Sequence, residues 1–247
     1  MTSDDSFRGR VPGWHVRVVD ETGSTNADLL EAAAAGAPDR SVLMARHQTA
    51  GRGRLDRRWE APPGVNLLVS VLFRSRTGDP HLLTQRVALA AQAAAVRVAG
   101  VEALLKWPND LLVGTEKLAG ILDQARPAPT DPGPDAGLDV VVGLGMNVGW
   151  SPQGAARLGD GIDPLDVLEA LLRALDELPD DDLALAALYR SRLATIGREV
   201  RVELVGPANG EVVTGRAVDV DPDGRLVVLD PCGVTHRFAT GDVVHLR

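Results

Sequence analysis

The chain has 247 residues, 45% of them hydrophobic and 24% charged, which suits one large domain or a main domain with a small companion. Its formal net charge of -8 argues against a general nucleic-acid-binding protein, and its single cysteine, Cys232, excludes an intrachain disulfide and a multi-cysteine metal site. The polar first ten residues lack a signal core, and no stretch approaches the ~20 apolar residues of a membrane span. The sequence therefore predicts a cytoplasmic protein.

The first hundred residues show alternating strand and helix patterns. The predicted elements are, in chain order, a strand at 15–20, a helix at 27–35, strands at 41–46 and 66–74, and a helix from Pro80 to Gly100. Ser24 or Thr25 is suited to capping the first helix, and Gly36 to ending it. The near-continuous apolar run at 66–74 is typical of a central strand that is buried on both faces.

A basic segment, residues 47–59 and here named the arginine loop, interrupts this pattern. It contains Arg52, Arg54, Arg57 and Arg58 around two glycines and ends at Trp59. Its glycines are unfavourable in a helix or strand, and its charges leave no apolar face. Because glycine allows close backbone approach and arginine binds anions with paired donors, the segment is either a loop that closes over an anion or a solvated basic loop.

The remaining sequence divides near residue 197. Before this point we predict strands at 104–114 and 117–124 joined by a turn, an exposed proline-rich loop at 126–137 and a buried strand at 138–148. A mobile glycine-rich connection at 150–162 leads to a helix that Asp163-Pro164 caps, and a second helix follows at 181–195. Short strands follow at 199–205, 211–220, 225–230, 235–239 and 242–246, with turn signals between them. The predicted domains are residues 1–196, mixed α and β, and residues 197–247, a small barrel.

Only two lysines, Lys106 and Lys117, accompany 24 arginines, and both lie in short motifs that also contain polar or glycine residues. A compact ammonium and a planar guanidinium are not interchangeable at a bonding site. We therefore expect that arginine could not replace lysine at these two positions.

Several residue types favour a site for a nucleotide and a carboxylate. Arg52 and Arg54 supply anion-binding groups, Lys117 supplies a point charge, and Asp110 offers an oxygen ligand for Mg²⁺, which commonly binds through one or two carboxylates and substrate phosphates. Trp59 or Trp107 is suited to stacking on a purine. Gly120, Gly143 and Gly145 would let a flat ligand lie against strand backbone. Neither a phosphate-binding loop nor a dinucleotide-binding glycine motif is present.

Five motifs together resemble the biotin protein ligases. They are Ser24-Thr-Asn26, Gln48-x-x-Gly-Arg-Gly-Arg54 with Trp59, Lys106-Trp-Pro-Asn-Asp110, Lys117-Leu-Ala-Gly-Ile-Leu122 and Gly143-Leu-Gly-Met-Asn147. They occur in the family's order, and the resemblance extends from about residue 14 to residue 247. It implies an α+β fold, in which a mixed-sheet, class II synthetase-like catalytic domain precedes a small SH3-like β-barrel.

The resemblance also implies an ATP-dependent ligase that biotinylates a lysine of a biotin carboxyl-carrier domain. Biotin and ATP would form biotinyl-5′-AMP and pyrophosphate with Mg²⁺ present, and the lysine would then displace AMP. The implied biotin-binding residues are Ser24, Thr25, Asn26, Gln48, Gly51, Arg52, Gly53, Arg54, Lys117, Gly120, Gly143 and Gly145. The implied nucleotide-binding residues are Arg54, Arg57, Trp59, Lys106, Asn109, Asp110, Lys117 and Asn147. Catalysis would depend on Arg54, Lys117 and Asp110, and the metal would bind Asp110.

Two other functions remain open at the level of sequence. One is a lipoate ligase or acyltransferase of related fold, and the other is a biotin-binding module without catalysis. DNA binding is not expected, because the first catalytic strand begins by about His15 and leaves no room for the DNA-binding domain of some family members. No membrane partner is expected, and the chain is either a monomer or a weak dimer.

Overall fold

A computed structural model describes residues 3–4, 7, 9–55, 57–75, 80–128, 137–204, 210–239 and 241–246. Its strands before residue 150 are β1 (Ser3–Asp4), β2 (His15–Thr22), β3 (Ser41–Gln48), β4 (Leu67–Ser75), β5 (Leu104–Lys106), β6 (Asp110–Val113), β7 (Glu116–Pro127) and β8 (Leu138–Met146). The helices are α1 (Thr25–Ala34), α2 (Pro80–Ala99), α3 (Pro164–Glu177) and α4 (Asp182–Arg192). The last strands are β9 (Glu199–Glu203), β10 (Val212–Val220), β11 (Leu226–Leu229), β12 (Thr235–Phe238) and β13 (Asp242–His245).

The first eight strands form one mixed sheet in the order β1-β2-β3-β4-β8-β7-β6-β5. The β2–β3 pair is parallel, and the other pairs are antiparallel. Helix α1 packs against β3, β4 and β8, whereas α2 packs against α3, α4, β7 and β8. The predicted α+β class with a mixed-sheet domain is confirmed.

The alternation of side chains along β4 separates the two faces of this sheet. Leu67, Val69 and Val71 join the main hydrophobic core, and Leu72 joins a smaller cluster beneath α1. Ser70 points to the same face as Leu72 and lies opposite Gly143 of β8. The α1 face is therefore lined by small and polar groups at the centre of the sheet, where a cavity opens.

The prediction of one strand over 104–114 is wrong. This segment forms two antiparallel strands, β5 and β6, with Lys106 opposite Asp110 across a tight turn. The turn contains Pro108, which has no amide hydrogen to donate to a continuing strand. The motif Lys106-Trp-Pro-Asn-Asp110 is therefore a hairpin, which presents its second half toward the cavity.

Other predicted boundaries shift by a few residues. Helix α1 begins at Thr25 and follows Ser24, whose side chain makes no capping hydrogen bond. Asp163 caps α3 as predicted, by accepting a hydrogen bond from the amide of Leu165. Strand β7 ends at Pro127 and so extends two residues into the predicted proline-rich loop, whereas β8 begins at Leu138 as predicted. Residues 129–136 of that loop and residues 205–209 lie outside the described residues.

The last five strands form a separate antiparallel sheet in the order β12-β11-β10-β9-β13, compatible with the predicted SH3-like unit. This C-terminal unit shares the main core, which includes Val200, Val202 and Val228. At the junction the Trp107 indole donates to the Gly224 carbonyl at 3.0 Å, and the Trp107 amide donates to Thr195 Oγ1 at 2.9 Å. No described helix has the length and apolarity needed to cross a membrane.

Candidate active site

A cavity of about 340 Å³ opens between the ends of β7 and β8, the start of α1, the arginine loop and the start of β13. Every residue that the resemblance assigned to biotin, nucleotide or metal lines it, except Gly51 and Lys106. The lining residues that were not assigned to biotin, nucleotide or metal are Leu55, Arg58, Glu60, Val69, Ile121, Leu122, Leu144, Pro152, Ala155, Gly241 and Asp242. Segments from the whole chain therefore converge on one site.

A buried hydrogen-bond network fixes the start of α1 at one end of the cavity. The amide of Thr25 donates to Gln48 Oε1 at 2.8 Å, and the Asn26 side-chain amide donates to the Leu122 carbonyl at 3.0 Å. The Ser70 hydroxyl lies 2.7 Å from Thr25 Oγ1 and 2.6 Å from Asn26 Oδ1. Because these partners hold the side chains in place, the network presents a preorganised polar surface.

The glycines of β7 and β8 make room for protein side chains. Gly120 and Gly145 are paired across the two strands, and the Trp59 indole lies on them. A Cβ atom at Gly145 would be 2.4 Å from the Trp59 ring, and one at Gly143 would be 2.2 Å from Asn26 Oδ1. Close approach to strand backbone was predicted, but in this structure the approaching groups are Trp59 and Asn26.

The Trp59 ring forms the apolar wall of the cavity. Its Nε1 is buried and has no hydrogen-bond partner among the described residues. A buried donor normally has a partner, so this N–H is free for an acceptor on a ligand. The ammonium nitrogen of Lys117 lies 5.7 Å from the ring centroid, which places a cation over the same ring.

Lys117 and Asp110 form the polar centre of the cavity. Lys117 Nζ lies 2.7 Å from Asp110 Oδ1, and the lysine side chain is 41% exposed. The Asn147 side-chain amide donates to the carbonyls of Lys117 and Ala156 at 3.3 and 2.9 Å. Asn147 thus connects β7 to the glycine-rich connection, whose predicted mobility stays a prediction.

The arginine loop folds back on itself above this centre. The Gly53 amide donates to the Arg57 carbonyl at 2.7 Å, and the Trp59 amide donates to the Gly51 carbonyl at 3.1 Å. A Cβ atom at Gly51 would be 2.4 Å from the Trp59 carbonyl oxygen, so Gly51 allows the loop to close. Gly51 therefore shapes the loop and does not line the cavity.

Two arginines of the loop reach the opposite wall. Arg54 Nη1 donates to Asn109 Oδ1 at 3.2 Å and to the Gly241 carbonyl at 3.4 Å. Burial lowers the pKa of Arg54, and nearby Asp110 opposes this shift, although arginine stays charged in proteins. Arg57 donates to Asp242 of β13, and this hydrogen bond raises the pKa of Arg57.

Among the residues that the structure describes, five cations and three carboxylates line the cavity. The cations are Arg52, Arg54, Arg57, Arg58 and Lys117, and the carboxylates are those of Glu60, Asp110 and Asp242. A surplus of positive charge in a partly enclosed space favours anionic ligands. This balance contrasts with the net charge of -8 for the whole chain.

One basic and one aromatic residue of the β5–β6 hairpin, Lys106 and Trp107, do not reach the cavity. Lys106, assigned to the nucleotide by resemblance, does not line it. Trp107, considered for purine stacking, is 3% exposed and bonded to the C-terminal unit, so its ring is not available to a ligand. Of the two tryptophans considered, only Trp59 faces the cavity.

The lining residues from the C-terminal unit had no signal in the sequence. Gly241 and Asp242 precede or begin a short strand, and nothing in their local pattern separates them from other turn residues. Ser70, in the middle of an apolar strand, was the one polar residue that could have marked the inner wall of the network. Only the docking of the two units brings Asp242 to Arg57.

The described residues contain no cluster of three or more His, Cys, Asp or Glu side chains suited to a metal ion. Asp110 is the carboxylate at the centre of the cavity, and Lys117 already faces one of its oxygens. A single carboxylate fits a magnesium ion that arrives with substrate phosphates and takes most of its ligands from them and from water.

Comparisons with known proteins find matches to both units of the chain. The model of the biotin/lipoate A/B protein ligase family matches residues 17–147, and that of the biotin protein ligase C terminal domain matches residues 195–246. The chain belongs to the biotin/lipoate A/B protein ligase family. The biotin–[acetyl-CoA-carboxylase] ligase of Mycobacterium tuberculosis is 40% identical, over 98% of this chain and 94% of that protein.

Two further members of the ligase family are similar. The bifunctional ligase/repressor BirA of Bacillus subtilis is 28% identical, over 90% of this chain and 71% of that protein. The structure of the biotin protein ligase from Aquifex aeolicus in complex with biotin and ATP has a TM-score of 0.74 at 23% identity, covering 94% of this chain and 99% of that chain. This structural likeness shows that the ligase fold extends over both units.

Proposed function

We propose that this chain is an ATP-dependent biotin protein ligase. It joins biotin to ATP as biotinyl-5′-AMP with release of pyrophosphate, and then transfers biotin to a lysine of a biotin carboxyl-carrier domain with release of AMP. The observation that carries this proposal is the cavity itself, where a preorganised polar network, an apolar wall and a group of cations adjoin. These surfaces match a ureido ring, an aliphatic tail and two anions.

The polar network at the start of α1 is the proposed site of the ureido ring. Ser24, Thr25, Asn26 and Gln48 line this end, and their amides and hydroxyls can pair with the ring's N–H and C=O groups. The Trp59 ring, which lies on the Gly120–Gly145 floor, is the proposed contact surface of the apolar tail. The tail carboxylate would then extend toward Lys117.

The cations would bring biotin's carboxylate and the α-phosphate of ATP together. Lys117 and Arg54 both line the cavity, and they would offset the mutual repulsion of the two anions and the charge that develops at phosphorus. Loss of one such preorganised donor typically costs about 10²–10³ in rate. Trp59 would shelter the adenine as well as the tail, and Asn109 and Asp110 would lie on the phosphate side.

Mg²⁺ is proposed to enter with ATP, bound by Asp110 and the phosphates. The ion would neutralise phosphate charge in the reaction. The chain's own contribution is the position of the Asp110 carboxylate, which is 19% exposed and lies 2.7 Å from Lys117 Nζ.

Arg54→Ala is expected to release biotinyl-5′-AMP into solution at least about tenfold faster, because even one hydrogen bond to a charged group is worth ~1.5–3 kcal/mol. Without Arg54 the loop loses its bonds to Asn109 and Gly241 and opens more often to water. Single-turnover reactions without carrier protein, followed by chromatography of free adenylate, measure the release. Arg201→Ala, on the C-terminal surface, is the matched control, and equal release in the two variants would contradict this role of the loop.

The function is tested by biotin-dependent exchange of labelled pyrophosphate into ATP, followed by transfer of biotin to a carrier domain. We expect both steps with biotin. Exchange with lipoate and not with biotin would support a lipoate ligase of related fold. Biotin binding without exchange would identify a binding module and contradict the proposal.

We further propose that the catalytic domain ends near Ile196, that residues 197–247 form the C-terminal domain, and that the protein works in the cytoplasm as a monomer or weak dimer. The domain boundary is supported by the change from helices to short strands after α4. The cytoplasmic location is supported by the proposed use of ATP. Analytical ultracentrifugation with and without biotin and ATP tests the proposed oligomeric state.

A further inference from the structure

The C-terminal unit contributes a wall of the cavity at the start of β13. Gly241 and Asp242 both line the cavity, and both contact the arginine loop: Arg54 donates to the Gly241 carbonyl, and Arg57 pairs with Asp242. The loop thus has two attachments to an element that begins more than 180 residues later in the chain.

The attachment point on the C-terminal unit is fixed. Asp242 is paired with Glu203 of β9, and the next residue, Val243, is 1% exposed. A Cβ atom at Gly241 would be 2.9 Å from Val202 Cγ1, so the backbone there is packed against β9.

The arginine loop pairs with itself, through the Gly53 amide and the Arg57 carbonyl and through a bridge of Arg52 with Arg58. Within residues 52–58, the side chains of Arg54 and Arg57 donate hydrogen bonds to other parts of the protein. The position of the loop over the cavity therefore depends on these contacts.

We propose that Asp242 is a positioning residue that holds the arginine loop closed through Arg57. The ion pair would keep biotinyl-5′-AMP inside the cavity until the carrier lysine arrives. This inference rests on the proposed function. Asp242 does not act on the reacting atoms; it sets the fraction of time for which the loop covers them.

The strength of the pair suits this role. The Arg57 and Asp242 side chains are 65% and 34% exposed, so water and salt weaken their attraction. Exposed pairs of this kind shift an equilibrium by about two- to fivefold. A contact of that size biases the loop toward closure and still lets it open once per turnover.

The competing explanation is that the pair only docks the two units. The chain offers a matched control, because Asp219 of the C-terminal unit pairs with Arg190 of α4 and lies outside the cavity lining. Asp219→Asn removes one ion pair between the units without touching the loop. Asp242→Asn removes the ion pair with Arg57, and the asparagine side chain has almost the same shape and volume as the native aspartate.

The experiment measures loop opening without any ligand, by trypsin cleavage within residues 52–58 followed by mass spectrometry. We expect Asp242→Asn to be cleaved there about two- to fivefold faster than the unsubstituted chain at low salt, and Asp219→Asn to be cleaved at the unsubstituted rate. The difference should disappear at about 1 M salt, where the screening length is ~3 Å. Equal cleavage of all three proteins, or equal acceleration in both variants, would overturn the proposal.

Adenylate retention completes the test. Asp242→Asn should release adenylate about two- to fivefold faster. The double variant with Arg57→Gln should add no more than Arg57→Gln alone, since coupled residues are not additive. Additive effects would mean that Asp242 acts independently of Arg57. If the unsubstituted chain formed no adenylate, the proposed function would fail while the cleavage result would still decide the loop contact.

Discussion

Lys117→Arg is expected to slow biotinyl-5′-AMP formation by about 10²–10³. The ammonium of Lys117 lies 2.7 Å from Asp110, and both its Nζ and Cε would be 3.0 Å from a Cβ at Gly120. A wider guanidinium has no space against that glycine floor, so it would displace Trp59 or turn away from Asp110. Initial rates of pyrophosphate exchange at saturating biotin and ATP measure the loss.

Lys106→Arg is the informative comparison for this variant. Lys106 is the other lysine of the chain and does not line the cavity, so its replacement should cost much less. Equal losses in the two variants would show that arginine fails for a reason unrelated to the cavity. Near-normal exchange by Lys117→Arg would remove the inference that this position requires an ammonium.

Gly143→Ala is expected to weaken biotin binding by more than about tenfold and to lower the free energy of unfolding by ~1–3 kcal/mol, the usual cost of overpacking. The new methyl group would lie 2.2 Å from Asn26 Oδ1. Asn26 cannot retreat easily, because Ser70 and the Leu122 carbonyl hold its side chain. Calorimetric titration with biotin and urea denaturation measure the two effects.

Gly23→Ala provides the matched control. It makes the same chemical change one residue before Ser24, where a Cβ would meet no atom within 4 Å and the backbone needs no positive φ. We expect binding and stability near those of the unsubstituted chain. Unchanged biotin affinity in Gly143→Ala would show that the position of Asn26 is not important for the ligand.

The sequence was sufficient where function depends on local pattern. A near-continuous apolar run predicted the buried strand that became β4, helical spacing predicted α2, and Asp163 was identified as the cap of α3. The motif residues around Lys117 and Trp59 were brought to one cavity, since each motif sits at a strand end or tight loop on the same face of the sheet. The roles assigned to them stay predictions.

The sequence was insufficient where tertiary contact decides. Trp107 has an aromatic ring suited to stacking on a purine, but packing against the C-terminal unit buries it. Gly145 reads as space for a ligand, whereas Trp59, 86 residues earlier, already lies on it. Asp242 looks like any acidic turn residue until the docked sheet places it beside Arg57. Such pairings follow from the fold and have no local sequence signature.

The hairpin between β5 and β6 should couple the unfolding of the catalytic and C-terminal units. One side of its turn bonds to the C-terminal sheet through Trp107, and the other side brings Asn109 and Asp110 to the cavity. Loss of the C-terminal sheet would remove the Gly224 partner of Trp107 and so loosen Asn109 and Asp110, which line the cavity. Melting of the two units should therefore be cooperative, in a single transition that biotin and ATP shift together.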